Sequence, residues 1–164
     1  MKKSLFTKLI TTSLCLVLFA SSTWGQELIR EVTLSKQVQN SSLIIEGKVI
    51  SKKAFFGAGN NIYTLNTIDV YKVFKGESVS QVNIVTKGGA IGSNIQMVTH
   101  SLELNTGDLG VFNLNSSDIP YSDINNISDK AFRVYSGSQG FYKYNIYDDV
   151  VVNTFTGMKG ITGF

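Results

Sequence analysis

Hydrophobic positions along this chain follow two regimes. Residues 9–20 form one greasy run behind Lys2, Lys3 and Lys8, whereas from residue 43 onward the apolar residues space with a period near two. The run leads into Thr23-Trp24-Gly25. A basic start, a short apolar middle and a small-residue exit predict a secretory signal peptide over residues 1–25, cleaved after Gly25. Spanning a bilayer takes about 20 apolar residues, so the run is too short to remain as an anchor. The expected product is exported, to the cell surface, the medium or the periplasm, and has no transmembrane segment once the signal is removed.

Residues 26–42 read as a lead-in. The pattern favours a strand at 29–34, then a helical turn capped by Ser35 that sets Leu34 and Val38 on one face. Residues 43–53 alternate as a strand, with Leu43, Ile45 and Val49 opposite Ile44 and Ile50. Gly57-Ala58-Gly59-Asn60-Asn61 predicts a hairpin turn into a long strand at 62–74. Along that strand the apolar positions change parity, from Tyr63 and Leu65 to Ile68 and Val70 and back to Tyr71 and Val73, which predicts a bend made by bulges. Further strands are expected at 79–86, 95–104 and 109–114. A last hairpin is expected from 131–135 and 141–147, then an edge strand at 150–155. The segment 115–130 holds Pro120, the only proline, and reads as a loop.

Seven or eight short strands with turns every ten or so residues predict a mainly β fold. The bend favours a small Greek-key, OB-like barrel with one short N-terminal helical turn, and a β-sandwich is the alternative. The domains expected are the signal at 1–25, a single β-barrel domain at 26–147, and an edge strand with a glycine-containing tail or linker at 148–164.

Charge changes the picture only after cleavage. The whole chain carries 15 basic and 12 acidic residues, a net charge of +3. Lys2, Lys3 and Lys8 account for the whole excess, so the mature chain is neutral. Nucleic-acid binders concentrate positive charge, and no basic cluster here exceeds pairs such as Lys52-Lys53, so no nucleic-acid partner is expected. The single cysteine, Cys15, leaves with the signal, which excludes disulfides and thiolate metal sites from the remainder.

A longer pattern resembles a known family. It comprises Asn40-Ser41-Ser42-Leu43-Ile44-Ile45-Glu46-Gly47-Lys48-Val49, Val70-Tyr71-Lys72-Val73-Phe74-Lys75-Gly76, Thr86-Lys87-Gly88-Gly89, Gly107-Asp108-Leu109-Gly110-Val111-Phe112 and Gly137-Ser138-Gln139-Gly140-Phe141. Together these resemble an N-terminal β domain of exported, type IX secretion-associated bacterial multidomain proteins, over roughly residues 32 to 147. That domain is similar to bacterial relatives of the netrin-like module of metalloproteinase inhibitors. The resemblance implies an OB-type barrel standing ahead of a longer chain. It also implies the alternative function, an accessory, pro-region or inhibitor-like domain of a secreted metalloprotease. The mature chain lacks the cysteines of the netrin-like module.

Residues with chemistry are few. His100 is the only histidine, and one ring makes neither a zinc site nor a triad. Gly88-Gly89-Ala90-Ile91-Gly92 looks like a phosphate cradle but leads into a strand rather than a helix, so it reads as a bulged turn. Asp118, Asp123, Asn125, Asn126 and Asp129 offer hard oxygens for calcium without an EF-hand pattern. Asn40, Asn115 and Asn126 each begin an N-glycosylation triplet. The contact surface expected is Tyr135, Tyr142, Lys143, Tyr144 and Asn145, because half-buried tyrosines suit sugar or protein contact. No catalytic residue, cofactor or metal ligand is assigned. The expected function is a non-enzymatic binding or structural module with a protein or glycan partner.

Overall fold

The computed structural model describes residues 30–119, 131–145, 147, 150–153 and, for the backbone, 157–159. The predicted signal segment, the acids and amides at 123–129, and the end of the tail lie outside the described residues. The chain divides into two compact units, Met1–Arg30 and Glu31–Phe164, and the architecture below is that of the second.

A short helix, α1 (Leu34–Asn40), precedes ten strands: β1 (Leu43–Phe56), β2 (Ile62–Lys75), β3 (Gln81–Lys87), β4 (Gly89–Ile91), β5 (Asn94–Gln96), β6 (Leu109–Ser116), β7 (Ala131–Val134), β8 (Phe141–Asn145), β9 (Val150–Val152) and β10 (Gly157–Lys159). The protein is mainly β, as the alternation predicts. Among the described residues no helix is long and apolar enough to cross a membrane.

Eight strands join in the order β1-β2-β3-β7-β6-β8-β9-β10, and β6 also pairs with β1. Five strands therefore form a ring of pairings, β1–β2–β3–β7–β6 and back to β1. Its seam is the parallel β3–β7 contact, two residue pairs long, Asn83 with Ala131 and Ile84 with Phe132. β4 and β5 form a separate two-stranded sheet.

The bend predicted for the second strand is built by both partners of the β1–β2 hairpin. The register passes from Ile44↔Lys75 to Ile45↔Val73, from Glu46↔Lys72 to Gly47↔Val70, and from Val49↔Ile68 to Ser51↔Thr67. The skipped residues are Phe74, Tyr71 and Ile50. A bulged residue escapes the alternation of the pleat, and these three stand 51%, 56% and 43% exposed. The parity changes thus mark bulges, but Tyr71 turns outward rather than back into the core.

Inside the ring, Ile45, Val49, Ile68, Ile84, Leu104, Phe112 and Leu114 form the main core. Phe112 stacks on Phe141 with ring centroids 4.3 Å apart. Leu65 and Val85, on the other face of β2 and β3, join Phe55 and Ala131 in a smaller cluster against Tyr63 and Ile119.

Several sequence expectations are corrected. The extended lead-in is absent after residue 30, and Thr33, not Ser35, caps α1, accepting from Lys36 N. Leu34 and Val38 are exposed, while Gln37 is the buried residue of the helix. The strand expected at 95–104 stops at Gln96, because Ser101 N closes a turn onto Val98 O at 3.1 Å and His100 takes a left-handed φ of 60°. Of that stretch Leu104 is buried in the core and Leu102 packs against it. Finally, β7 and β8 are not a hairpin. Both lie along one edge of β6, with a 3-10 turn, Gly137–Gly140, bulging out between them. β9 pairs with both β8 and β10, so it is interior to the sheet and not its edge.

Candidate functional site

Asn113 of β6 governs the bulge between β7 and β8. Its carbonyl accepts from Tyr135 N at 2.8 Å, and its side-chain Nδ2 donates to Gly140 O at 3.2 Å and to Gln37 Oε1 at 3.5 Å. Gln37 Nε2 donates in turn to Val32 O at 2.8 Å, and Val32 N donates to Gln139 Oε1 at 2.7 Å. A buried amide group costs stability unless it is hydrogen-bonded; these bonds tie α1 to β6 and to the bulge, and Asn113 Oδ1 is the clasp atom left without a partner.

Tyr142 belongs to that clasp. It is 6% exposed, and burial raises its pKa against the lowering effect of hydrogen bonds with Gln37 and Asn153. Its ring is buried, unlike the half-buried tyrosines expected of a contact surface. β8 lies over the core at Phe141 and under the clasp at Tyr142, so both of its faces are covered there.

The remaining expected contact residues diverge. Lys143 is half-exposed, and its Nζ sits 2.7 Å from Asp108 Oδ1. Tyr144 is half-buried; burial, the charge of Glu46 and a hydrogen bond with it push the phenol up to about 12. Asn145 is half-buried and accepts from Tyr147 N at 3.1 Å. Tyr135 alone lines a cleft.

That cleft, about 720 Å³, opens beside β7 and the outward face of β2 and β3. Tyr63, Val85, Lys87, Arg133 and Tyr135 wall it, with His100, Asp118 and Ser136 at its sides. Tyr63 faces Lys87 in the β2–β3 register, which brings aromatic and cation together. Tyr63 also stacks on Phe55, centroids 5.8 Å apart, and this fixes its ring. Arg133 Nη1 reaches Asp118 Oδ1 at 3.2 Å, both side chains largely exposed. His100 and Ser136, at φ 60° and 57°, are two of the three described non-glycine residues with positive φ. Backbone held in that region costs energy and gathers at functional loops. His100 is exposed, as the default reading of a lone histidine has it.

Other flagged residues fall elsewhere. Gly88 and Gly89 take φ 91° and 144° where β3 turns into β4, the bulged turn expected of them. Asn40 is exposed, and Asn115 is half-buried with its Oδ1 accepting from Ser42 N at 2.8 Å. Among the described residues no group of three His, Cys, Asp or Glu side chains could hold a metal ion. Of the calcium expectation, Asp118 pairs with Arg133, and the residues at 123–129 lie outside the described residues.

Sequence reasoning passed over Tyr63, Lys87 and Arg133. Arg133 and Tyr135 stand two apart in the chain, on β7 and just past its end. Tyr63 and Lys87 meet only through strand register. No protein-family model, curated protein or solved structure matches this chain.

Proposed function

We propose that this chain is an exported, non-enzymatic β module of the OB type that binds a protein or glycan through the cleft walled by Tyr63, Lys87, Arg133 and Tyr135. One observation carries the reading: two tyrosines, an arginine and a lysine converge on one concave surface bordered by two left-handed residues. Tyrosine supplies large contact area at little rotamer cost and arginine supplies a fork of directional donors, and interfaces are rich in both. The OB-type reading draws on the pairing order, with an antiparallel β1–β2–β3 meander, a parallel β3–β7 seam and β6 returning to β1. Export draws on the first 25 residues, and the resemblance described above agrees with both.

The test is a binding screen of the purified chain on glycan arrays and on isolated cell-surface proteins, repeated with Tyr135→Ala and Arg133→Ala. Both variants are expected to lose the partner while keeping the parent circular dichroism spectrum. Tyr71→Ala, on the exposed bulge, is the control that should bind normally. Undiminished binding by both cleft variants rejects this surface.

A further inference from the structure

A second cleft, about 540 Å³, opens at the end of the ring where β4, β5 and the 97–104 loop cross it. Its chemistry differs from the first. The interior of the ring is apolar at Ile68 and Ile84, then turns polar toward this cleft at Asn66, Thr64 and Thr86. Burying polar groups at the end of a core is costly, so a polar layer under an opening calls for an explanation.

The hydrogens of that layer are already committed. Thr64 Oγ1 donates to Gly88 O at 2.8 Å, Thr86 Oγ1 to Thr64 O at 3.4 Å, and Ser101 Oγ to Lys87 O at 3.1 Å. Each hydroxyl spends its proton on a main-chain carbonyl and keeps lone pairs to offer. Beneath them Asn66 is fully buried. Its Nδ2, with two hydrogens, lies within 3.1–3.2 Å of Thr64 O, Ile84 O and Thr86 Oγ1, while its Oδ1 has no hydrogen-bond partner. Three hydroxyl oxygens in the wall make an acceptor-rich pocket, and the buried layer next to them holds the unpaired Asn66 carbonyl. Apolar surface faces them, from Leu102 and Leu104 to the exposed Ile95 and Met97 on and beside β5.

The glycines hold this geometry open. A Cβ at Gly89 would stand 2.5 Å from Thr64 Oγ1, and one at Gly88 2.7 Å from Gln96 O, so any side chain there displaces the cleft floor. At the rim, Lys52 and Lys87 outnumber Glu103, which disfavours a cationic ligand.

From this arrangement we infer that the β4–β5 cleft is a binding site for a neutral ligand with an apolar body and a hydrogen-bond-donating head, an amide N–H or a hydroxyl. The head bonds the Thr64, Thr86 and Ser101 oxygens, and the body packs on Ile95, Leu102 and Leu104. The site adjoins the tyrosine cleft, and Thr86, Lys87, Val98, Ser101 and Leu102 line both, whereas Thr64, Gly89, Ile95 and Leu104 line this cleft and not the other.

The experiment is an amide NMR titration of the full chain with benzamide, which donates from a neutral head, and with benzoate, which cannot donate. Benzamide is expected to shift the amides of Thr64, Gly89 and Leu104, and benzoate to leave them in place. Thr86→Val, isosteric and without the oxygen, should weaken benzamide roughly threefold to tenfold, the loss of one net hydrogen bond. Ile95→Ser, at an exposed position that does not endanger the fold, should also weaken it. Arg133→Ala, which touches only the first cleft, should change nothing. Absence of shifts up to the solubility of benzamide overturns the inference, as does equal binding of benzoate at these residues. Either result leaves the tyrosine-cleft proposal intact.

Discussion

Lys143 Nζ lies 2.7 Å from Asp108 Oδ1, across the junction where β6 begins and β8 pairs with it. Asp108 is buried, and its other oxygen accepts from Asn105 N at 2.9 Å, closing the turn before β6. One carboxylate therefore fixes a turn and a strand pair. Asp108→Ala removes both bonds and is expected to cost about 1–3 kcal/mol in urea denaturation. Asp108→Asn can keep the turn bond and should cost less. Lys143 is half-exposed, so solvent screens its share of the pair. Equal stability of parent and Asp108→Ala would refute this role.

Gln37 is the buried residue of α1 and bridges Val32, Asn113 and Tyr142. Gln37→Leu leaves buried partners without bonds and is expected to destabilise by about 1–3 kcal/mol despite its greater hydrophobicity. Hydrogen exchange should quicken first at residues 37–41, ahead of the β1–β2 core. Leu34→Ser, on the exposed side of the same helix, should stay within about 0.5 kcal/mol of the parent.

The bulges predict a contrast along one strand. Ile68 is fully buried in the main core, and Ile68→Ala should cost about 2–5 kcal/mol. Tyr71→Ser should cost well under that, since its ring stands outside the packing. Phe74→Ser also forfeits the Lys72 ammonium 5.1 Å from its ring, an exposed contact worth about 0.5–1 kcal/mol. Chemical denaturation of the three variants gives the order directly.

Alkaline pH tests the two shifted tyrosines. Burial raises Tyr142, and burial with Glu46 carries Tyr144 to about 12, from an ordinary value of 10.0. Between these limits the folded chain keeps phenol protons that the unfolded chain has released. Stability is therefore full below pH 10.0 and falls as pH rises toward about 12. Tyr144→Phe should flatten that decline, and ultraviolet titration should lose its latest-ionising phenol. An unchanged slope in the variant would contradict the assignment.

Strand identity was readable because pleat alternation is local: it marks strands at 43–53, 62–74 and 109–114, and its parity changes along the second mark the bulges. Turn chemistry was equally local at Gly57–Asn61 and at Gly88-Gly89. The candidate sites were far less legible. Tyr135 was found by its neighbours in the chain, but Tyr142 reads identically and is buried, since nothing in a strand pattern says that a helix lies over one face. Gln37 reads as the polar residue between two apolar ones, yet it is the one that turns inward.

By itself, then, the amino-acid order determined the mainly β character, the bend of the long second strand and the neutrality of the chain past its first 25 residues. These depend on neighbours two to five positions apart. The tertiary structure decided that β7 and β8 share an edge of β6, that β6 returns to β1, and that Tyr63 and Lys87 meet Arg133 and Tyr135 in one cleft. Those contacts join residues dozens of positions apart. They exist only once register and bulges have set which atoms face each other, and that is a property of the assembled sheet.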